Sequence, residues 1–343
     1  MKSSKRIVIL AEGKLDPFTA KTAAGVIRYR HDEVLGVLAP SVAGQDLAEF
    51  IGIGSGVPII STLDEVDNPD TLVIGIATPG GVMPDEWREF LCEAVRRGME
   101  IVNGLHTFLS DDAALSELAA EHSATLTDVR RPPADLKVGM GEAASIDSRV
   151  ILTVGSDCNI GKKITAIEMN NEARQRGLDS VFIPTGQTGV MIEGRGFALD
   201  RVISDFAAGA AERLVLEQKH HDWLFVEGQG ALLHPSYSGV TLSLMHGAMP
   251  GAMILCHQPT REFVRHTDFV IPPLRSLIEL HESVMCPFRE SSVVGISLNC
   301  LDMSDEEAAE EIDRVESEFR LPATDVIRCG AAKLVDAVEV FFQ

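Results

Sequence analysis

The sequence predicts an α/β protein of two parallel-sheet domains, an amino-terminal Rossmann-like domain and a carboxyl-terminal P-loop NTPase-like α/β domain. Three observations predict it. Short apolar, strand-like runs alternate with helix-like runs along the chain, the pattern of a parallel sheet with crossover helices. The 343 residues suffice for about two domains. Near the middle, a strand, a glycine-bounded loop, a Gly-Lys pair and a helix follow one another directly, the context a phosphate-binding loop requires.

In the first domain, Ile7 to Leu10 reads as a short buried strand, Thr19 to Arg28 as a helix and Val34 to Leu38 as the next strand. Leu47 to Ile51 ends a second helix, and Pro58 to Ile60 and Thr71 to Ala77 are further strands. Asp85 to Arg97 is a helix with acidic residues early and arginines late, which complements the helix dipole. Glu100 to Asn103 closes the series, giving a Rossmann-like domain over residues 1–125. Gly52, Gly54 and Gly56 read as a turn, because a dinucleotide fingerprint needs a different spacing and a preceding strand. Pro79, Gly80 and Gly81 follow a strand at the carboxyl edge of the sheet, where they form either a plain turn or part of a ligand crevice. Regularity falls away after Glu121. Arg130, Arg131, Pro132 and Pro133, then Gly139 and Gly141, read as a linker over residues 126–148.

The second domain spans residues 149–343 and opens on the strand Val150 to Val154. The loop Gly155-Ser156-Asp157-Cys158-Asn159-Ile160-Gly161-Lys162-Lys163 follows, then a helix through Arg176 that Gly177 stops. Converging N–H groups, the positive end of a helix and a lysine suit an anion, so this loop is the predicted phosphate cradle with Lys162 as its cation. Two departures from the common pattern matter. The first glycine lies one position further out, with Ser156 in its usual place. The residue after Lys162 is Lys163, where Ser or Thr normally ligates Mg²⁺. Such a loop suits a ligand whose phosphates are handles, and argues against ATP hydrolysis and against a metal.

Val181 to Pro184 is the next strand and ends in Thr185-Gly186-Gln187-Thr188-Gly189, with Glu193-Gly194-Arg195-Gly196 and Asp200-Arg201 close behind. A helix runs from about Val202 past Glu212, and Trp223 to Val226 is a strand ending in Glu227-Gly228-Gln229-Gly230. A carboxylate at that strand end either takes a proton from a substrate or caps the glycine turn. His234, Tyr237 and His246 stand in a loop-like Gly, Ser and Pro-rich stretch, and the His220-His221 pair reads as surface. Cys158 is either an acyl-accepting nucleophile or a passive loop residue; no histidine base stands beside it in sequence. Met253 to Cys256, Phe269 to Ile271 and Val293 to Leu298 are read as strands, and Asp305 to Phe319 and Ala331 to Phe342 as helices.

Composition excludes some partners. The formal charge of -21 repels a nucleic-acid backbone and anionic lipid, so neither is expected as a partner. The six cysteines are scattered without a CxxC pair, which removes zinc spacing and suits free thiols in a reducing cytoplasm. The apolar stretch after the basic start ends at Ala11, too short for a signal peptide, and no run reaches the length of a membrane helix.

Taken together, Gly155-Ser-Asp-Cys-Asn-Ile-Gly-Lys-Lys, Thr185-Gly-Gln-Thr-Gly, Asp205-Phe-Ala-Ala-Gly and Val226-Glu-Gly-Gln-Gly resemble the bacterial D-glutamate N-acetyltransferase family, a likeness that covers nearly the whole chain. The cradle is also similar to the dethiobiotin synthetase loop, which has the same glycine offset but a Thr where Lys163 stands. The family resemblance implies acetyl-CoA as donor, its phosphates held by the cradle residues Gly155 to Lys163, and D-glutamate or a related D-amino acid as acceptor. It places the protein in D-amino-acid catabolism, and a homo-oligomer is expected. On this reading Glu227 is the general base, with Lys162 and Asp157 as further catalytic candidates. Arg195 or Arg201 holds the acceptor's carboxylates, and Gln187 and Gln229 complete the acceptor site. Two alternatives stay open: an ATP-dependent ligase or kinase resembling dethiobiotin synthetase, and a non-catalytic nucleotide sensor.

Overall fold

The computed structural model describes residues 4–77, 81 and 83–343. Pro79 and Gly80 of the first carboxyl-edge turn lie outside the described residues. The chain forms two compact units, Met1–Pro132 with Gln187–Arg201, and Pro133–Gly186 with Val202–Gln343.

The first unit runs β1 (Ile7–Leu10), α1 (Lys21–Tyr29), β2 (Val34–Leu38), α2 (Ala48–Ile51), β3 (Ile59–Ile60), β4 (Thr71–Ile74), α3 (Arg88–Arg96), β5 (Glu100–Asn103), α4 (Ala113–Glu121) and β6 (Thr125–Asp128). Its strands form one parallel sheet in the order β3-β2-β1-β4-β5-β6. That is the doubly wound arrangement, with strand order reversing between β1 and β4. The sequence dictates it through β1, which is apolar at every position and fully buried. Ile7 and Ile9 pack on one face with Val26 and Ile27 of α1, while Val8 and Leu10 pack on the other with Trp87 and Leu91. A strand buried on both faces needs no polar alternation.

The second unit begins with β7 (Arg149–Gly155), α5 (Lys162–Gln175) and β8 (Ser180–Ile183). The chain then crosses into the first unit as α6 (Gln187–Glu193). Val190 and Met191 of α6 join the core on the α1 face of the first sheet. Thr188 Oγ1 meets Thr22 Oγ1 at 3.0 Å, and Arg30 Nη1 donates to Met191 O at 2.9 Å. The chain returns as α7 (Ser204–Leu216), β9 (Trp223–Val226), α8 (Ser238–Ala248), β10 (Ala252–His257), α9 (Leu274–Met285), β11 (Ser292–Leu298), α10 (Asp305–Phe319), β12 (Ala323–Thr324) and α11 (Ala332–Phe341). The second parallel sheet has the order β12-β11-β10-β7-β9-β8. β7 and β9 are therefore neighbours, which brings the residues after Val226 alongside the loop after Gly155.

Several elements differ from the sequence reading. β6 falls across the boundary drawn at residue 125; it is an edge strand, half-exposed and mostly polar, so it carries little apolar signal. Residues 238–248 form a helix, not a loop, and residues 187–193, which carried no assignment from sequence, are also a helix. In α8 the buried Leu244, Met245 and Ala248 supply the packing that a Gly and Ser-rich sequence lacks in intrinsic propensity. α9 was not anticipated, although Leu274, Leu277, His281 and Met285 line its buried face at helical spacing. Phe269 to Ile271 is not a strand: Val270 makes an isolated antiparallel bridge to Phe263, and Phe269 and Val270 are exposed. Among the described residues, no helix is long and apolar enough to cross a membrane. All six cysteines are free thiols.

The contact between β7 and the end of β9 admits only glycine at Gly228. Its N–H donates to Thr153 Oγ1 at 2.9 Å, and a Cβ there would stand 1.6 Å from Thr153 O. Overpacking against main chain in a closed core costs about 1–3 kcal/mol or more. Gly228→Ala is therefore expected to lower the urea midpoint by that order with an unchanged slope. An unaltered midpoint would show that the two strands separate without cost.

Candidate functional site

β7 is buried from Val150 through Gly155, so the chain leaves the sheet at its carboxyl edge with no freedom to slide. The loop then uses left-handed backbone at Asn159 (φ 52°) and at Gly161 (φ 111°). Asn and Gly are the residues that tolerate this region, and such alternation makes successive N–H groups converge. Gly161 caps α5 without contributing a side-chain acceptor.

Lys162 opens that helix and is buried. Its Nζ donates to Asp157 O at 2.7 Å, folding the ammonium over the loop's own main chain. Burial pushes its pKa below the ordinary lysine value, while Cys256, Cys158 and Asp157 pull it up. A buried ammonium held mainly by a carbonyl lacks a full counter-charge, which an anionic ligand would supply.

The carboxylate of Asp157, wholly buried, is the anchor of the loop. Oδ1 accepts from Cys158 N at 2.7 Å, and Oδ2 accepts from Arg261 Nη1 at 2.9 Å and Arg265 N at 2.8 Å. Arg261 Nη1 also donates to Cys158 O at 2.7 Å. With three donors fixed on it, Asp157 holds the cradle's shape; that geometry suits anchoring better than proton transfer.

Ser156 Oγ lies 2.9 Å from Nδ1 of His257, the last residue of β10, and Ser156 N donates to Cys256 O at 3.1 Å. Burial pushes His257 down to about 4, so its imidazole is neutral at neutral pH. Cys158 carries the opposite shift for the same reason. Burial, then the neighbouring Asp157, pushes its thiol up. An activated nucleophilic cysteine has a depressed pKa, so Cys158 has the character of a passive loop residue.

Asp157, Cys158 and His234 bring potential ligand atoms within 4.8 Å of one another. Their hydrogen bonds do not suit a metal. His234 Nδ1 accepts from Ser236 N at 3.1 Å, so Nε2 carries the proton and donates to Arg265 O at 3.1 Å. Neither ring nitrogen has a lone pair to give.

Glu227, directly after β9, is buried. Its Oε2 accepts from Thr185 N and Gly186 N, both at 2.9 Å, and Thr185 Oγ1 donates to Glu227 O at 2.7 Å. Gln229 Nε2 donates to Thr185 O and, at 3.1 Å, to Thr185 Oγ1. Glu227 and Gln229 thus lock one turn, beside the cradle: the Cβ that Gly228 lacks would touch Lys162 Cδ at 3.1 Å. Thr165 is spoken for elsewhere; its hydroxyl meets Ser297 Oγ at 2.8 Å.

The remaining sequence candidates, Gln187, Arg195 and Arg201, belong to the first unit. Arg195 pairs with Glu193 at 3.0 Å, and the Arg201 guanidinium lies 5.2 Å over the Phe108 ring. Sequence reasoning missed His257, Arg261 and Arg265. A histidine closing a buried strand at the carboxyl edge was the available signal for the first. The other two act through long-range contacts that no local pattern announces.

Comparison with known proteins agrees with this architecture. Residues 137–335 match a family model described as a domain of unknown function, the DUF1611 P-loop domain, and residues 40–132 match the DUF1611 Rossmann-like domain. The chain is 38% identical over 332 residues to a D-glutamate N-acetyltransferase of Tritonibacter scottomollicae, covering 94% of this chain and 95% of that protein. It is 37% identical over 269 residues to a D-glutamate N-acetyltransferase of a Pseudoalteromonas species, covering 77% and 80%. The crystal structure of a DUF1611 family protein from Anabaena variabilis superposes with a TM-score of 0.92 at 41% identity, covering 98% of this chain and 99% of that one. A Rossmann-like unit and a P-loop unit, joined in this order and similar to these enzymes over nearly the whole length, identify the chain as a member of the DUF1611 family and as an enzyme of the N-acetyltransferase type.

Proposed function

We propose that this enzyme transfers the acetyl group of acetyl-CoA to the amino group of D-glutamate or a closely related D-amino acid, with the loop Gly155 to Lys163 gripping the phosphates of coenzyme A. The observation that carries the donor half is Lys162, a buried ammonium whose anchored cradle stops short of a full counter-charge. Lys163 beside it adds a second cation where a magnesium-using loop has a hydroxyl. Thr165 does not supply that hydroxyl, because it is bonded into the sheet through Ser297. The acceptor half rests on the similarity to two D-glutamate N-acetyltransferases.

The chemistry asks little of the protein. The acceptor amine attacks the thioester carbonyl; the N–C bond forms, the C–S bond breaks, and coenzyme A leaves as a thiolate. A thiol pKa of about 8.5 makes that departure easy. The amine must shed one proton, and Glu227 is the proposed base. Thr185 N and Gly186 N fix its carboxylate at the carboxyl edge beside the cradle. Main-chain N–H groups at the reacting carbonyl would stabilise the oxyanion. Burial and then Asp157 raise the Cys158 thiol's pKa, which favours direct transfer over an acetyl-cysteine intermediate.

One assay decides the reaction class. With acetyl-CoA and D-glutamate, without added metal, free thiol is expected to appear; L-glutamate serves as the comparison. ADP release from ATP and Mg²⁺ instead would favour the ligase reading, and tight nucleotide binding without turnover would favour a sensor.

Glu227→Gln tests the base. Glutamine keeps a carbonyl oxygen for the two N–H groups but cannot take the proton. It is expected to lower kcat by about 10²-fold or more with KM for acetyl-CoA nearly unchanged. An unaltered kcat would remove Glu227 from the role.

Lys162 gives a pH signature. In the free protein burial holds its pKa below 10.5, and a bound diphosphate favours the ammonium and raises it. Binding then takes up protons, and coenzyme A affinity falls as pH rises through the lowered pKa of the free form. Calorimetry in buffers of different ionisation enthalpy measures this uptake, and Lys162→Met should abolish it. Binding without proton exchange up to the ordinary lysine range would contradict the assignment.

A further inference from the structure

We infer that the acceptor is recognised within the first unit, its amine by Gln187 and a carboxylate by Arg201, on a platform built by Gly104, Phe108 and Arg130. This inference rests on the proposed reaction, and it assigns each charged end of an amino dicarboxylate to a named group.

The amine position follows from an orphaned acceptor. Gly104 comes directly after β5, at the carboxyl edge of the first sheet. It has no Cβ, and one built there would sit 2.0 Å from Gln187 Oε1, so the amide lies on the bare Cα. Gln187 is only 6% exposed, and among the described residues its Oε1 has no hydrogen-bond partner. A buried carbonyl without a donor costs about 1–3 kcal/mol. An amine offers the missing N–H, and the amide product keeps one N–H on the same oxygen.

The carboxylate position follows from how the neighbouring arginines are used. Arg130 donates to Gly104 O, and its Nη2 pairs with Asp200 Oδ2 at 2.8 Å, so it is neutralised and fixed. Arg131 lies over the Phe108 ring at 4.3 Å and pairs with Asp111 at 2.6 Å. Arg201 shares that ring at 5.2 Å, yet among the described residues no carboxylate is paired with it. In a chain of net charge -21, a guanidinium oriented by an aromatic face and left without a carboxylate is suited to an anion. His106 is pushed toward its neutral form by burial and then by Arg130, against the pull of Asp200, so it adds no competing cation.

Two probes separate the two contacts. D-glutamate carries the amine and both carboxylates; glutarate has the same carboxylates and no amine. Binding to the full-length protein is measured by calorimetry. Arg201→Ala is expected to weaken both probes by about 10-fold or more. Gln187→Met is expected to weaken D-glutamate by about 5- to 10-fold and leave glutarate within about twofold. KM for acetyl-CoA stays unchanged in both. Arg201 is exposed, so its variant folds and carries the test by itself.

Wild-type affinities in Arg201→Ala, equal weakening of both probes in Gln187→Met, or a wild-type protein that binds neither probe would overturn the inference. Wild-type turnover of D-glutamate with unaffected variants would remove this site and leave the reaction standing. The expected binding pattern without acetyl transfer would keep the site and remove the reaction.

Discussion

The cradle depends on one charge pair between a fully buried carboxylate and a half-buried guanidinium. Asp157 is wholly inside the protein, and an isolated carboxylate there would be prohibitively costly to ionise. Arg261 at 2.9 Å and two main-chain N–H groups compensate it. Removing one partner of such a pair typically costs about 3–5 kcal/mol, because the other charge is left uncompensated. The pair stitches the loop after β7 to the segment after β10, so the shape of the loop is set by residues more than a hundred positions apart. The second donor to Oδ2, the N–H of Arg265, extends the same stitch.

With the loop held from outside, its interior electrostatics follow. Lys162 is buried beneath the loop, and burial weakens its hold on a proton against the pull of Cys256, Cys158 and Asp157. His257 and Cys158, also pressed by burial, stay neutral. The site therefore presents Lys162 as an adaptable charge beside neutral His257 and Cys158, with Asp157 and Arg261 already paired to each other. In a strongly acidic protein this matters, since long-range repulsion of an anion must be overcome locally.

The chain's path links the two units at a locked turn. Thr185 and Gly186 are pinned by Glu227 and Gln229, and the next residue, Gln187, begins a helix that belongs to the other unit. The motif Thr185-Gly-Gln-Thr-Gly, continuous in sequence, thus serves two units. Its first half is fastened to the strand that carries the proposed base, and its second half is tied to the Rossmann-like unit through Thr188, with Val190 just after it in the core. This division is the physical reason that the acceptor candidates Gln187, Arg195 and Arg201 part company with Gln229.

The sequence by itself determined the two parallel sheets, the strand-loop-helix of the cradle and the unusual Lys163. These are local properties: runs such as Ile7 to Leu10 and Val150 to Val154 are apolar throughout, and a Gly-Lys at a helix start is readable without neighbours. It did not reveal β6, whose polar edge position leaves no apolar run, or α8, whose helix is sustained by packing on another helix. Tertiary structure alone decided that Asp157 is clamped by Arg261 and Arg265, that His257 stands beside Ser156, and that Arg201 shares Phe108 with Arg131. Each of those contacts joins segments far apart in the chain. Only the pairing of strands and the return of residues 187–201 to the first unit bring them together, and no periodicity encodes that.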